Sequence, residues 1–384
     1  MRILFTSTPG YGHVLPMLPL ARAALLSGHQ VRWATGPDAC RVVRAAGIDA
    51  TEAGLTDAEV APMRAEARRA SVGLTPEEVP MRVFPLLFGA ARTGPMLAAV
   101  LPLARDWRPD LIVHENGELA APLVATLLGV PHAVHAFGGA IPAAILADGG
   151  EHVAALWSRH GLEMPPYAGC YQHLYLDICP PALQTVPMDH IRDVRAARPV
   201  TYDGEDVPEL AAVLPEDDGR PLVYVTLGTV SNRVDLMSAV VQMVSGLGVR
   251  LLVTVGPGID PAALGPQQAG VRVQQWVPQA RVLPHCAAVV SHGGSGTLLA
   301  TAALGLPQLC LPQAADQFRN ATGLVRARAG LALHPDAVSP EAVADALRAV
   351  LADEQLRAGA GRVRDEIAAM PAPAQVVSDL EELV

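Results

Sequence analysis

Two short stretches of this chain hold the residue types that chemistry needs. The turn out of the opening apolar run reads Thr6-Ser7-Thr8-Pro9-Gly10-Tyr11-Gly12-His13. Two glycines where one would close the turn imply a close backbone approach, with His13 at its centre; a helix-capping histidine is the plainer alternative. The second stretch, Ser291-His292-Gly293-Gly294-Ser295-Gly296-Thr297, joins an apolar strand pattern to a helical one. Glycines there let backbone approach a ligand, and the free N–H groups of a helix N-terminus favour an anion such as a diphosphate. A tight turn without a ligand is again the simpler reading.

Other chemistries are excluded by what is missing. The 28 basic residues are all arginine. Without a lysine there is no Walker A loop, no Schiff-base enzyme and no lysine-dependent kinase. A GxGxxG dinucleotide fingerprint fits neither glycine cluster, because the last glycine position falls on Leu299 in one and Leu15 in the other. The net charge of −10 argues against nucleic acid as a partner. Five scattered cysteines with no CxxC pair suit a reduced, cytoplasmic protein. No uninterrupted apolar run reaches the roughly 20 residues of a membrane span, and residues 1–8 make no signal peptide.

These motifs sit on an alternation of apolar runs and helical patterns. Strands are expected at 2–7, 29–35, 108–115 and 130–137, then at 221–228, 249–256, 271–278, 287–294 and 307–313. Their continuous apolar character predicts parallel sheets covered on both faces. Between about 180 and 220 prolines and acidic residues break the rhythm. The expectation is an α/β protein of two Rossmann-like halves: an acceptor domain over 1–200, a linker over 201–220 and a nucleotide domain with the C-terminal helices over 221–384. Ligands should lie at the carboxyl ends of the strands, in the cleft between the halves. The irregular stretches 60–105 and 140–180 read as insertions that carry specificity.

The block from Trp276-Val277-Pro278-Gln279 to Asp316-Gln317-Phe318-Arg319-Asn320-Ala321 resembles the donor-binding signature of family 1 glycosyltransferases, which have the GT-B fold. The similarity takes in the GHVLPMLPLARA opening and the PDLIVHE strand, and is greatest to the bacterial branch that decorates antibiotics and other natural products. That resemblance implies roles residue by residue. Trp276 would stack on the nucleobase and the Val277 backbone would bond its edge. His292, Gly294, Ser295, Gly296 and Thr297 would hold the diphosphate, with Thr229 meeting it from the other side. Asp316 and Gln317 would read the sugar hydroxyls. His13 would be the general base, suited by its pKa, and Glu115 the carboxylate behind it, where many relatives carry Asp. His114 should point the other way.

The resemblance further implies an inverting transfer of a sugar from a nucleoside diphosphate to a hydroxyl of a small aglycone. No metal and no other cofactor is expected, since no Asp-x-Asp motif ends a strand and Glu216-Asp217-Asp218 reads as a solvated surface run. Phe84, Phe88, Phe137 and Trp157, with Tyr171 and Tyr175, are the candidate acceptor contacts, each equally explicable as core. A thymidine diphosphate (TDP) deoxysugar is the expected donor, because plant relatives place a ribose-binding glutamate where this chain has Ala300. A nucleotide-sugar epimerase, a non-catalytic nucleotide-sugar-binding auxiliary protein, a carbon–carbon linkage and a homodimer stay open.

Overall fold

The computed structural model describes residues 1–204, 209–227, 234–256 and 258–384. The chain divides into two compact units. The first comprises Met1–Cys179, Val186–Tyr202 and Met370–Val384; the second comprises Pro180–Thr185 and Asp203–Ala369.

The first unit is built on seven parallel strands: β1 Arg2–Thr6, β2 Gln30–Thr35, β3 Asp49–Glu52, β4 Leu111–Glu115, β5 His132–His135, β6 Leu174–Asp177 and β7 Val194–Ala196. Their order is β3-β2-β1-β4-β5-β6-β7, which places the β1/β4 boundary at the switch point where doubly wound sheets bind ligands. Phe5 pairs in register with Val113 and Thr6 with His114, so the residues that follow β1 emerge beside the end of β4. Both strands are buried almost end to end, as continuous apolar runs require.

The second unit repeats the plan with β8 Leu222–Thr226, β9 Arg250–Thr254, β10 Val271–Gln274, β11 Ala288–Ser291, β12 Gln308–Cys310 and β13 Gly330–Ala332. They run parallel in the order β10-β9-β8-β11-β12-β13. Val223, Val225, Leu251, Val253 and Val290 pack with Val343 and Leu347 of the helix Pro340–Ala352 to form its core.

The units depart from the expected division in two places. The last helix, Pro373–Glu381, was expected in the nucleotide domain but packs on the helix Leu18–Leu26 of the first unit, burying Val376, Val377 and Leu380. Arg195 and Asp379 face each other at 3.9 Å, and the Arg198 backbone N–H donates to Pro371. The segment Pro180–Thr185 goes with the second unit, where Arg326 donates to Ala182 and Gln184. Strand β7 lies inside the stretch where the pattern was expected to break.

Residues Glu78–Trp107 form one helical stretch of 30 residues, long and apolar enough by length and composition to cross a membrane. It includes Arg82 and Arg92, and buries Phe84, Leu87, Met96, Leu97, Val100 and Ala104 in the first unit. Its middle, Pro85–Arg92, is wound with the wider π spacing. Pro85 has no N–H to donate to an i−4 carbonyl, which favours that local rewinding.

Candidate active site

Strand β1 ends at Thr6, and the chain turns through Gly10 into the short helix Tyr11–Val14. The N–H groups of His13 and Val14 donate to the Gly10 carbonyl at 2.9 and 3.1 Å. A Cβ on Gly10 would come within 2.9 Å of the His13 ring, so the glycine leaves room for the imidazole. Gly12 has no such neighbour among the described residues.

The His13 side chain is 19% exposed, and its Nδ1 lies 3.2 Å from Oε2 of Glu115, which is fully buried. Glu115 is held on both oxygens. Oε1 accepts from the Thr8 N–H (3.2 Å) and hydroxyl (2.9 Å), and Oε2 accepts from the Gly117 N–H. Burial opposes its ionisation, but the charge of His13 and these hydrogen bonds outweigh burial and hold its pKa below the ordinary carboxylate value. A side chain on Gly117 would strike Phe88 at 2.7 Å and crowd Glu115. With Nδ1 turned to the carboxylate, Nε2 of His13 is the nitrogen left to receive a proton.

His114 points away, as alternation requires. Its Nδ1 lies 3.0 Å from the Glu118 carbonyl and its Nε2 3.1 Å from Nδ1 of His132, and burial lowers its pKa to about 4. Glu118, which sequence reasoning passed over, is fully buried. It accepts from the Thr6 hydroxyl (2.6 Å) and from the N–H groups of Ala120 and Ala121. Burial, aided by the charge of Glu115, pushes its pKa up to about 7.

Two of the four predicted acceptor aromatics touch the His13 ring: Phe137 edge-on at 4.7 Å and Phe88 at 5.4 Å. Phe84 stacks behind Phe88 at 4.7 Å and is buried. Trp157 is corrected to a packing role, since it is 1% exposed and lies against Gly169. Tyr175 is fully buried as well.

In the second unit β11 delivers His292 into the glycine turn. Gly293 has φ +77, which disfavours any side chain, and a Cβ on Gly294 would collide with the His292 ring. The helix Ser295–Ala302 starts there, and Gly296 faces no atom of the described residues within 4 Å. Ser295 donates to Oδ2 of Asp316 at 2.6 Å, so two predicted donor contacts are bonded to each other. Asn320, which lies in the signature but was given no role of its own, donates to Gly293, Ser295 and Asp316 within 3.0 Å and ties the glycine turn to the Asp316-Gln317 corner. Gln317 accepts from the N–H groups of Gln313 and Ala314. Thr297 accepts from Gln279, another signature residue that had no assigned role. Burial lowers the His292 pKa against the pull of Asp316, and its Nδ1 has no hydrogen-bond partner among the described residues.

Trp276 is 49% exposed, whereas its neighbour Val277 is buried. An indole held out at a strand end suits stacking better than core packing. Ala300 is 7% exposed and packs in an apolar cluster with Tyr224 and Val277. That position is closed, so the inference from Ala300 to the donor nucleotide loses its footing: the alanine fills core. Thr229 lies outside the described residues.

Comparison with known proteins assigns the chain to a family. The family described as "Erythromycin biosynthesis protein CIII-like" matches through its N-terminal domain over residues 22–228 and its C-terminal domain over 253–383. The chain is 34% identical to the L-demethylnoviosyl transferase of Streptomyces niveus, covering 99% of this chain and 97% of that one. It is 33% identical to the elloramycin glycosyltransferase ElmGT of Streptomyces olivaceus, covering 99% and 97%. Among solved structures, the glycosyltransferase SnogD from Streptomyces nogalater superposes with a TM-score of 0.77 at 31% identity, covering 100% and 99%. The spinosyn rhamnosyltransferase SpnG gives a TM-score of 0.80 in its thymidine diphosphate complex and 0.82 in its spinosyn aglycone complex, each at 28% identity, covering 99% and 100%. The chain belongs to the family 1 glycosyltransferases of the bacterial natural-product branch and has their two-domain GT-B fold.

Proposed function

We propose that this glycosyltransferase moves a deoxysugar from TDP to a hydroxyl of a small natural-product aglycone, with inversion at the anomeric carbon. The observation that carries the reading is the His13–Glu115 pair, half-enclosed between Phe88 and Phe137. Nε2 of His13 takes the acceptor proton as the acceptor oxygen bonds the anomeric carbon. The bond from that carbon to the diphosphate oxygen breaks on the opposite face, and TDP leaves. Glu115 steadies the imidazolium. Charge on the departing diphosphate is met by the N-terminal N–H groups of Ser295–Ala302, Thr297 and His292 rather than by a metal. Trp276 stacks on the base, and Asp316 with Gln317 reads the sugar.

The TDP assignment is supported by relatives solved with thymidine diphosphate, SpnG and SsfS6, each 28% identical. All five cysteines are buried and their spacing forms no CxxC pair, which supports a reducing compartment, and we place the enzyme in the cytoplasm. The test is a mass-spectrometric screen of aglycones with TDP- and UDP-sugars, with the anomeric configuration of the product read by NMR. Glycoside from TDP donors with inverted configuration is expected. Retained configuration, a preference for UDP, or activity abolished by a chelator and restored by magnesium would overturn the corresponding part.

A further inference from the structure

Near the His13–Glu115 pair, the first unit has a small recess lined by Ser7, Thr8, Gly54, Phe88, Arg92 and Glu118, among others. Its space suits a water-sized group or two, so it admits a substituent rather than a ring system. Arg92, at the end of the π-wound segment, is the basic side chain that lines it. Its guanidinium carbon sits over the Phe88 ring at 5.2 Å, its Nε is buried with no hydrogen-bond partner, and it makes no ion pair among the described residues. The nearby carboxylates are committed elsewhere. Glu115 is held by Thr8, Gly117 and His13, Glu118 by Thr6, Ala120 and Ala121, and Asp57 by Arg64. A partly buried guanidinium whose Nε bonds nothing, and which feels Glu115 and Asp57 only through space, is costly to keep, and a ligand that bonds it and supplies a charge recovers that cost.

We infer that Arg92 anchors an ionised oxygen substituent of the acceptor, a carboxylate or an acidic phenol, one aromatic ring away from the hydroxyl that His13 activates. The inference rests on the transferase reading above and adds the chemical class of acceptor. Phe88 sets the spacing: the His13 ring lies 5.4 Å from its centre and the Arg92 guanidinium carbon 5.2 Å. Phe84 stacks on Phe88 and Arg92 covers it, so Phe88 is the contact that the base and the guanidinium share, and an acceptor whose hydroxyl meets His13 sends its substituent into the recess toward Arg92. The planar guanidinium fork matches a carboxylate with two hydrogen bonds or a phenolate with one.

The test uses matched pairs of probes binding to the TDP-saturated protein, followed by calorimetry. One arm pairs hydroxynaphthoic acids with their primary amides; the other pairs acidic nitronaphthols with their methyl ethers. In at least one arm the ionised member should bind about 10-fold or more tightly than its neutral partner, and the arm that responds tells carboxylate from phenolate. Arg92→Gln should abolish that preference while leaving the neutral member's affinity nearly unchanged; Arg92→Lys should keep part of it. TDP affinity and thermal unfolding, measured on each variant, report whether it is folded. No preference in either arm of the wild type, or a preference that survives Arg92→Gln, overturns the proposal. Equal losses for ionised and neutral members also overturn it, leaving Arg92 as a support for Glu115. Failure of TDP to bind would instead strike the transferase reading.

Discussion

Replacing Glu115 by glutamine tests the catalytic pair at its least exposed member. The carboxylate accepts the Thr8 N–H and hydroxyl on one oxygen, and the Gly117 N–H with the His13 contact on the other. A glutamine can keep the Thr8 bonds with its carbonyl, but its NH2 then meets the Gly117 N–H donor to donor. The same NH2 invites Nδ1 of His13 to accept, which moves the ring proton to Nε2 and blocks the nitrogen proposed as the base. The wrong tautomer and the loss of the charge facing the imidazolium together predict a fall in kcat of about 10²–10⁴-fold. Stranding the buried Gly117 N–H should cost a further ~1–3 kcal/mol of stability. The assay is kcat at saturating donor and acceptor, with thermal unfolding alongside at pH 7. Because the folded pKa of Glu115 is depressed, its stabilisation is present above the ordinary carboxylate pKa and lost as pH falls through the folded value. The Glu115→Gln deficit in unfolding temperature should therefore shrink on acidification. A kcat within about threefold of wild type would refute the tautomer argument, since a positioned base contributes far more than that.

Thr297→Ala and His292→Ala should each weaken TDP binding by ~1.5–3 kcal/mol, a hydrogen bond to a charged group, with acceptor binding little changed; calorimetry showing full TDP affinity in both would place the diphosphate elsewhere. Trp276→Ala should cost about 1–3 kcal/mol of TDP affinity if the exposed indole stacks on the base, and unaltered binding would return it to a surface role. Glu118→Gln probes the opposite pH dependence to Glu115. Its folded pKa is raised to about 7, so wild-type stability from this group is full below the unfolded carboxylate pKa and is lost as pH rises to about 7, by ~3 kcal/mol. The variant should gain on wild type in unfolding temperature between pH 5 and 8; a constant difference would show that Glu118 is ionised throughout.

The sequence was most legible where burial is complete. Strands β1, β4, β8 and β11 are covered on both faces, so their apolar runs stand out, and the glycine turns after β1 and β11 mark the ends where ligands are expected. The buried β6 and the short β13 escaped because they lie in stretches without a sustained period, and the edge strands β3 and β7 because they carry Asp49, Thr51, Glu52 and Arg195 in only three or four residues. Such short polar strands are made by their neighbours rather than by their own pattern. His13 and Glu115 could be named as a pair only through resemblance, because 102 positions separate them and only the β1–β4 register joins them. Glu118, Asn320, Gln279 and Arg92 carry no periodic signature, since polar side chains look alike in sequence whether solvated or buried. Trp157 and Ala300 err in the other direction: nothing local tells an aromatic in a wall from one in a core, or a small residue facing ribose from one filling a packed cluster.

The central claim, that His13 and Glu115 drive sugar transfer from TDP to an acceptor hydroxyl, is tested most directly by stoichiometry. Wild type and His13→Ala are incubated with a TDP-deoxysugar and the best aglycone of the screen, and glycoside and free TDP are both quantified by mass spectrometry. Wild type should release one TDP per glycoside formed, and His13→Ala should form neither above background while binding TDP as tightly as wild type. TDP released without glycoside, donor recovered as its epimer, or His13→Ala turning over like wild type would contradict the account.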